Sequence, residues 1–522
     1  MLNTIRSVVP RSLLQRSLRR NIALNWTATL IGAAVSLGLT PITVARLHEE
    51  DYGIWTFLNG LTLYSNLLYL GLGSAFVKGM SEAVGHDDRP AQTRLLSVAG
   101  TLYTGLGLLC FALAVALAPV VPRLLATPLA PERLDAATIT MVLLGLRLVF
   151  MFVNSAFSAL LASHGRWDLV STVIIIAALI RSVGVLWATA QPDAMIWLSI
   201  VSVVDGAIQL PLFIGFCRLV APGVRMRAVT PTRLELRSLY GFGAQAFVVQ
   251  TALLIIGYTD TALIGVLLGA ASVTLYTLPL QLVEQSRVLV NGITQSLLPE
   301  LAAHRARGEF DKLKSLFLGA SRTCAALSVL INVHLVILGP AFLAIWVGPA
   351  VAAESPRILL FLGIAATASA LSTQVMNPFY QALDLLKLLV LVVLAEAVVN
   401  FALSVWFAGR FGVWGVALAT AIPAVAITMV FAPRFLLPRV GVTVGEFTEQ
   451  VVLPAAALGA ACAVTQHLVS YVIGADSILL LALRSACSGL VVVLVAPLVL
   501  PRGDWMPIVT RIAPGLARRL GA

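Results

Sequence analysis

Five arginines and four carboxylates stand inside stretches that are otherwise apolar: Arg147, Arg181, Arg287, Arg322 and Arg484, and Asp205, Asp260, Glu284 and Glu396. Ionised groups at membrane depth are costly and mark function by default. A guanidinium stays protonated and binds a phosphate through two parallel hydrogen bonds, so Arg287, Arg181 and Arg147, the deepest of the five, are candidate substrate-binding cations. The carboxylates are candidates for ion coupling or gating, since a buried carboxyl exchanges a proton or a sodium ion according to its surroundings.

Each of these residues also has a purely structural reading. Arg287 follows Glu284 by three residues, a helical spacing at which the two pair on one face. Arg181 and Asp205 fall on successive helices and can neutralise each other. Buried pairs of this kind are weak evidence for stability and often only orient helices. Arg322 and Arg484 lie near span ends, from which a long side chain snorkels to the interface. Asp260 differs, because its own helix offers no cation within a turn on either side. His334 has no second ligand at metal spacing and reads as a satisfied core histidine. No metal site and no cofactor site is indicated.

The elements that hold these groups follow from composition. The chain has 522 residues, 59% hydrophobic and 11% charged, with a mean hydropathy of +0.95. Soluble domains carry about 25% charged residues, so the chain is an all-α polytopic membrane protein. The net charge of +11 is dispersed over short loops, which speaks for membrane anchoring and against a nucleic-acid partner. The five cysteines have no paired spacing, so no disulfide framework is expected.

At about 20 apolar residues per crossing, candidate spans fall at 22–45, 53–77, 95–120, 137–162, 169–190, 195–217, 239–268, 274–298, 316–346, 357–380, 387–408, 412–433, 450–473 and 477–500. The expectation is about fourteen transmembrane helices, with kinks at Pro41, Pro211, Pro279 and Pro423. The basic segment 1–20 precedes an apolar run too long for a signal-peptide core, so a retained first span is expected. With the N-terminus inside, alternate connections and tails carry about 25 Lys and Arg against 5 on the other face. The positive-inside rule then puts both termini in the cytoplasm.

The chain also repeats itself. ARLHEEDYGIWTFLNGLTLYSNLLYLGLGSAFVKGMSEAVGHDD has the layout of IGVLLGAASVTLYTLPLQLVEQSRVLVNGITQSLLPELAAHRARGEFDK: apolar run, short turn to an aromatic (Trp55, Tyr276), a span, then a polar exit. Six spans separate equivalent points, which predicts two pseudo-symmetric six-helix lobes around a central cavity. The expected organisation is an N-terminal lobe at 1–220, a cytoplasmic linker at 221–238, a C-terminal lobe at 239–436, and two extra helices with a tail at 437–522.

Asp260 followed by LIGVLLGAASVTLY and LPELAAHRARGEFDKL, together with DYGIWTFLNGLTLYSNLLYLGLGSAFVKGMSEAVGHDD, resembles the polysaccharide transporter (Wzx-type oligosaccharide flippase) family of the multidrug/oligosaccharidyl-lipid/polysaccharide exporter superfamily. The resemblance covers most of the first twelve spans. It implies translocation of an undecaprenyl-diphosphate-linked oligosaccharide across the bacterial inner membrane, by alternating access, for surface polysaccharides such as O-antigen or exopolysaccharide. The implied partners are the lipid-linked oligosaccharide, membrane lipids, and assembly proteins such as a polymerase and a chain-length regulator. The first span departs from several relatives in carrying neither carboxylate nor arginine between residues 22 and 45.

Such a head group is charged and hydroxylated and cannot cross hydrocarbon unaided, so its carrier needs a wet, cationic path while the tail stays in lipid. A multidrug cation antiporter of the same superfamily is the alternative, with acidic and aromatic walls. A membrane polysaccharide polymerase or ligase needs a large periplasmic loop, and the longest outside connection, 121–136, is too short to hold a domain. Gly71-x-Gly73 lacks the flanking strand and Lys-Ser/Thr of a phosphate loop. Nothing resembles an ATP site or an activated nucleophile, so a transporter rather than an enzyme is expected.

Overall fold

The computed structural model describes residues 11–65, 67, 72–295, 297–383 and 385–499. The start of the basic segment with Arg6, Gly71, and the tail with Arg502, Arg511, Arg518 and Arg519 lie outside the described residues. Within them the chain is predominantly helical and holds no strand. In lipid no water is available to backbone N–H and C=O groups, and a helix satisfies both within one segment. Among the described residues ten helices are long and apolar enough to cross a membrane, and Leu254–Leu268 and Ile478–Val491 are shorter apolar helices.

In chain order the helices are α1 (Arg11–Leu63), α2 (Leu72–Gly85), α3 (Arg89–Leu117), α4 (Pro131–Ser163), α5 (Trp167–Ala188), α6 (Ala194–Val220), α7 (Arg233–Leu268) and α8 (Ala270–Gln295). Then come α9 (Leu298–Ala306), α10 (Phe310–Trp346), α11 (Pro349–Ala382), α12 (Leu386–Phe411), α13 (Val413–Val440), α14 (Val444–Ser470) and α15 (Ile478–Val499). The chain divides into two compact units. Unit 1 runs to Leu254 and includes Gly269–Val273; unit 2 comprises Ile255–Leu268 and the chain from Thr274 onward.

The first two expected spans run together. They share α1, broken only at His48, whose backbone leaves the helical region at φ 63° and ψ 169°. Of the second expected span, 53–77, the described residues are helical to Leu63 and again from Leu72, and residues 66 and 68–71 lie outside the described residues. In the second half the corresponding turn is Gly269, at φ +92°, where a Cβ would meet Thr127 Oγ1 at 2.5 Å. Only glycine fits both the backbone and the space.

The helices also widen at places other than those expected from Pro41, Pro211, Pro279 and Pro423, all of which lie inside helices. π-helical turns occur at Ala370–Gln374, Ile427–Leu436 and Thr448–Val452. Each contains the residue four positions before a proline: Gln374 for Pro378, Met429 for Pro433, Gln450 for Pro454. A proline ring clashes with the carbonyl four residues back and cannot bond to it. A wider turn relieves the clash, and the helix continues.

Unit 1 has its core around Phe76, Met80, Leu96, Tyr103, Phe152 and Leu160, from α2, α3 and α4. Gly107 lets α3 close on α4, since a Cβ there would lie 2.8 Å from the Val149 Cα; small residues at such crossings drive helix association in lipid. The segment after α6 is fastened along α3. Arg94 grips Glu235 with Nε and Nη2 at 2.8 and 3.0 Å and donates to Thr230 O, while the Ser97 and Thr101 hydroxyls accept from Arg227 N and Val229 N.

Candidate functional site

In unit 2, Asp260 near the end of α7 is 3% exposed. Three hydroxyls from three helices converge on its carboxylate: Tyr276 of α8 donates to Oδ2 at 3.0 Å, Thr420 of α13 to Oδ2 at 2.7 Å, and Ser404 of α12 to Oδ1 at 3.0 Å. Asn400 of α12 donates its Nδ2 to Thr420 Oγ1 at 3.1 Å, and its own Oδ1 is buried without a donor. Among the described residues no cation lies within ion-pair distance of Asp260. A carboxyl buried among neutral donors can exchange a proton or a small cation according to what else reaches it.

Glu396, Asn400 and Ser404 recur every fourth residue and share one face of α12. Glu396 is 6% exposed, and its Oε2 has no donor. Arg287 is the charge that acts on both Glu396 and Asp260. Its direct partner is Glu284, with Nη1 donating to Oε1 at 2.9 Å, and its Nε is buried without an acceptor. The structure therefore brings Asp260, Glu396, Glu284 and Arg287 into one unit, with the Arg287–Glu284 pair formed as the three-residue spacing allows.

Unit 1 holds the remaining candidates. Arg181 of α5 lies 3.7 Å from the Oδ2 of Asp205 on α6, and Gln209 donates to the same oxygen at 3.2 Å. Arg147 of α4 donates to Asn59 Oδ1 at 3.1 Å, and its charge also acts on Asp205. Arg147 and Asp205 line a polar cavity of about 420 Å³ together with Asn154 and Gln209. A second cavity, of about 460 Å³, lies in unit 2 and is almost wholly apolar, walled by Val333, Leu360, Leu371, Met429 and Ala463 from α10, α11, α13 and α14.

The cations near span ends behave differently from the expectation. Arg322 of α10 donates to Gln450 Oε1 at 3.0 Å. Arg484 does not snorkel; it is 8% exposed, donates to Gln466 O at 3.3 Å and ties α15 to α14. His334 is satisfied as expected, by Leu330 O at 2.7 Å and Ser488 Oγ at 2.6 Å. The residues that sequence reasoning missed are Ser404, Thr420, Asn400 and Asn154. The polar stripe at 396, 400 and 404 in an apolar helix was the available signal for two of them; Thr420 and Asn154 are single polar residues that only packing singles out.

The family model described as "Lipid II flippase MurJ" matches residues 67–482. The chain belongs to the MurJ lipid II flippase family. It is a multi-pass membrane transporter and not a catalytic enzyme by family. The Wzx-type resemblance thus holds at the level of the shared superfamily, while the family shown is MurJ. A curated relative, the "Uncharacterized membrane protein EpsK" of Bacillus subtilis (strain 168), is 24% identical over 444 residues, covering 84% of this chain and 86% of its own. Among solved structures, "Lipid II flippase MurJ, inward closed conformation" aligns with a TM-score of 0.68 at 14% identity over 90% of this chain and 98% of its own. An inward-facing "multidrug resistance MATE family transporter of the MOP superfamily" aligns with a TM-score of 0.61 at 14% identity, over 79% of this chain and 94% of its own. These structures share the fold with this chain.

Proposed function

We propose that the protein translocates a lipid-linked saccharide, an undecaprenyl-diphosphate oligosaccharide, across the bacterial inner membrane by alternating access, with both termini cytoplasmic. The observation that carries this reading is the family match over residues 67–482, which extends past the twelve-span core into the last helix. A MATE-type fold leaves about a fifth of the chain unmatched, and the extra helices favour a lipid-linked substrate over a free drug. The arginines inside spans suit a diphosphate, and the apolar cavity walled partly by α14 suits the polyprenyl tail. Asp260, supported by Glu396, acts as the ion-coupling element, taking a proton or sodium ion. The polymerase and chain-length regulator of a polysaccharide pathway are the partners this role implies.

Purified protein in proteoliposomes tests the reading against fluorescent undecaprenyl-diphosphate oligosaccharide, lipid II and ethidium. Oligosaccharide lipid reaching the far leaflet without ethidium movement is the expected outcome. Movement of lipid II alone assigns the peptidoglycan precursor instead, and movement of ethidium alone makes the protein a drug exporter. Arg287→Ala is expected to abolish transport with the protein still in the membrane, and Arg287→Lys to retain part of it. Full transport by the Ala variant removes Arg287 from the substrate path.

A further inference from the structure

The polar cavity of unit 1 lies between α2, α4, α5 and α6, and its volume of about 420 Å³ falls in the range of roughly 300–1,000 Å³ of small-molecule sites. Two acceptor oxygens on its lining residues have no donor, Oδ1 of Asp205 and Oδ1 of Asn154. Both side chains are more than nine-tenths buried, with exposures of 7% and 6%. Their other atoms are engaged: Asp205 Oδ2 accepts from Gln209, and Asn154 Nδ2 donates to Gly206 O at 2.9 Å. Buried polar atoms are almost always satisfied, so two orphan oxygens on residues that line one cavity call for a ligand that donates.

Charge narrows the class of that ligand. A cation is opposed by Arg147 and Arg181, whose charges both act on Asp205. A fully ionised phosphate ester or carboxylate has no hydrogens for the two waiting oxygens and is repelled by Asp205. A neutral polyol meets both conditions, donating hydroxyl hydrogens to Asp205 and Asn154 and accepting from Arg147. Trp167 and Phe213 add apolar surface to the same wall, as the carbon face of a sugar ring requires.

We propose that this cavity is a saccharide subsite, in which Asp205 Oδ1 and Asn154 Oδ1 accept hydroxyl hydrogens from a neutral sugar unit of the substrate head. It rests on the reading of the substrate as a lipid-linked saccharide, and it assigns Arg147 to the sugar rather than to the diphosphate. The cavity selects by the positions of ring hydroxyls, because a site built to pair hydroxyls rejects a ring that leaves its buried oxygens unpaired.

The test uses the full-length protein in nanodiscs and saturation-transfer NMR with methyl glycosides of glucose, galactose, mannose and N-acetylglucosamine, with inorganic diphosphate as competitor. At least one glycoside is expected to bind saturably, to resist displacement by diphosphate, and to lose at least about tenfold in affinity in Asn154→Leu. Ser158→Phe, which fills the cavity from a residue engaged in none of these hydrogen bonds, is expected to abolish binding and guards against misfolding of the first variant. Absence of binding by every glycoside, wild-type affinity in both variants, or displacement by diphosphate overturns the proposal. Lipid-linked transport in the same preparation separates the two readings. Transport without glycoside binding removes the subsite and leaves the flippase; glycoside binding without transport keeps the subsite and removes the flippase.

Discussion

The two units treat a buried carboxylate in opposite ways. In unit 1 Asp205 sits under two arginines and beside open space. In unit 2 Asp260 is enclosed by three hydroxyls. The first arrangement pairs the carboxylate with cations and leaves room for a ligand; the second surrounds the carboxyl with neutral donors. The repeat sharpens the contrast. Tyr276, seven residues after the Gly269 turn, donates to Asp260, nine residues before it. In the first half the same offsets from His48 give Trp55 and Leu39. The Trp55 Nε1 is buried without an acceptor. One half of the repeat keeps the donor and the other keeps the donor with its acid, so the repeat in the sequence does not extend to its chemistry.

The largest effect is expected from Asp260→Asn. Proteoliposome transport should fall by at least about a hundredfold, equivalent to about 2.7 kcal/mol, with the protein still inserted. Asp205→Asn should instead raise the concentration of sugar-bearing lipid needed for half-maximal transport and spare the maximal rate. If both substitutions change the same kinetic parameter, the division into ion site and ligand cavity fails.

A smaller effect separates the hydroxyls. Thr420→Val removes the shortest bond to a charged oxygen and is expected to cost about 1.5–3 kcal/mol of stability, read as a lowered thermal midpoint in detergent. Gln209→Leu, acting on a carboxylate that keeps its arginines, should cost less. Equal midpoints for the two variants would show that Asp205 depends on its neutral donor as much as Asp260 does.

The smallest effect concerns the fastening of residues 224–232 along α3. The Arg94 guanidinium, followed by the Thr232 backbone, holds the half-buried Glu235 carboxyl down at about 2. Because this lies below the unfolded value of about 4.3, the contribution is complete above that value and is lost as pH falls toward 2. Amide protection of residues 224–232, followed by hydrogen–deuterium exchange, should be flat from neutral pH to about 5 and decline below about 4. In Arg94→Gln the decline should vanish, together with part of the protection at neutral pH.

Much of this was legible in the chain itself. Apolar runs of spanning length forced helices, because lipid leaves the backbone no other partner. The spacing of Glu284 and Arg287 placed their pair on one face, and Arg181 and Asp205 met across successive helices. The turn at Gly269 was marked by its residue type. Local chemistry within a helix or a turn is set by neighbours a few residues away, and the sequence states those neighbours outright.

What packing alone decided is which distant residues meet. Ser404 and Thr420 stand 144 and 160 residues from Asp260, and no period links them. Asn154 became part of a cavity only because α4, α5 and α6 diverge around it. Arg484 was drawn between α14 and α15 instead of reaching an interface. The π-helical turns answered Pro378, Pro433 and Pro454, whose ring clashes the surrounding helices absorb by widening rather than breaking. Residue type limits what a side chain can bond to; the closing of helices against one another selects the partner, because the cost of an unpaired polar atom is incurred only once burial has removed the water.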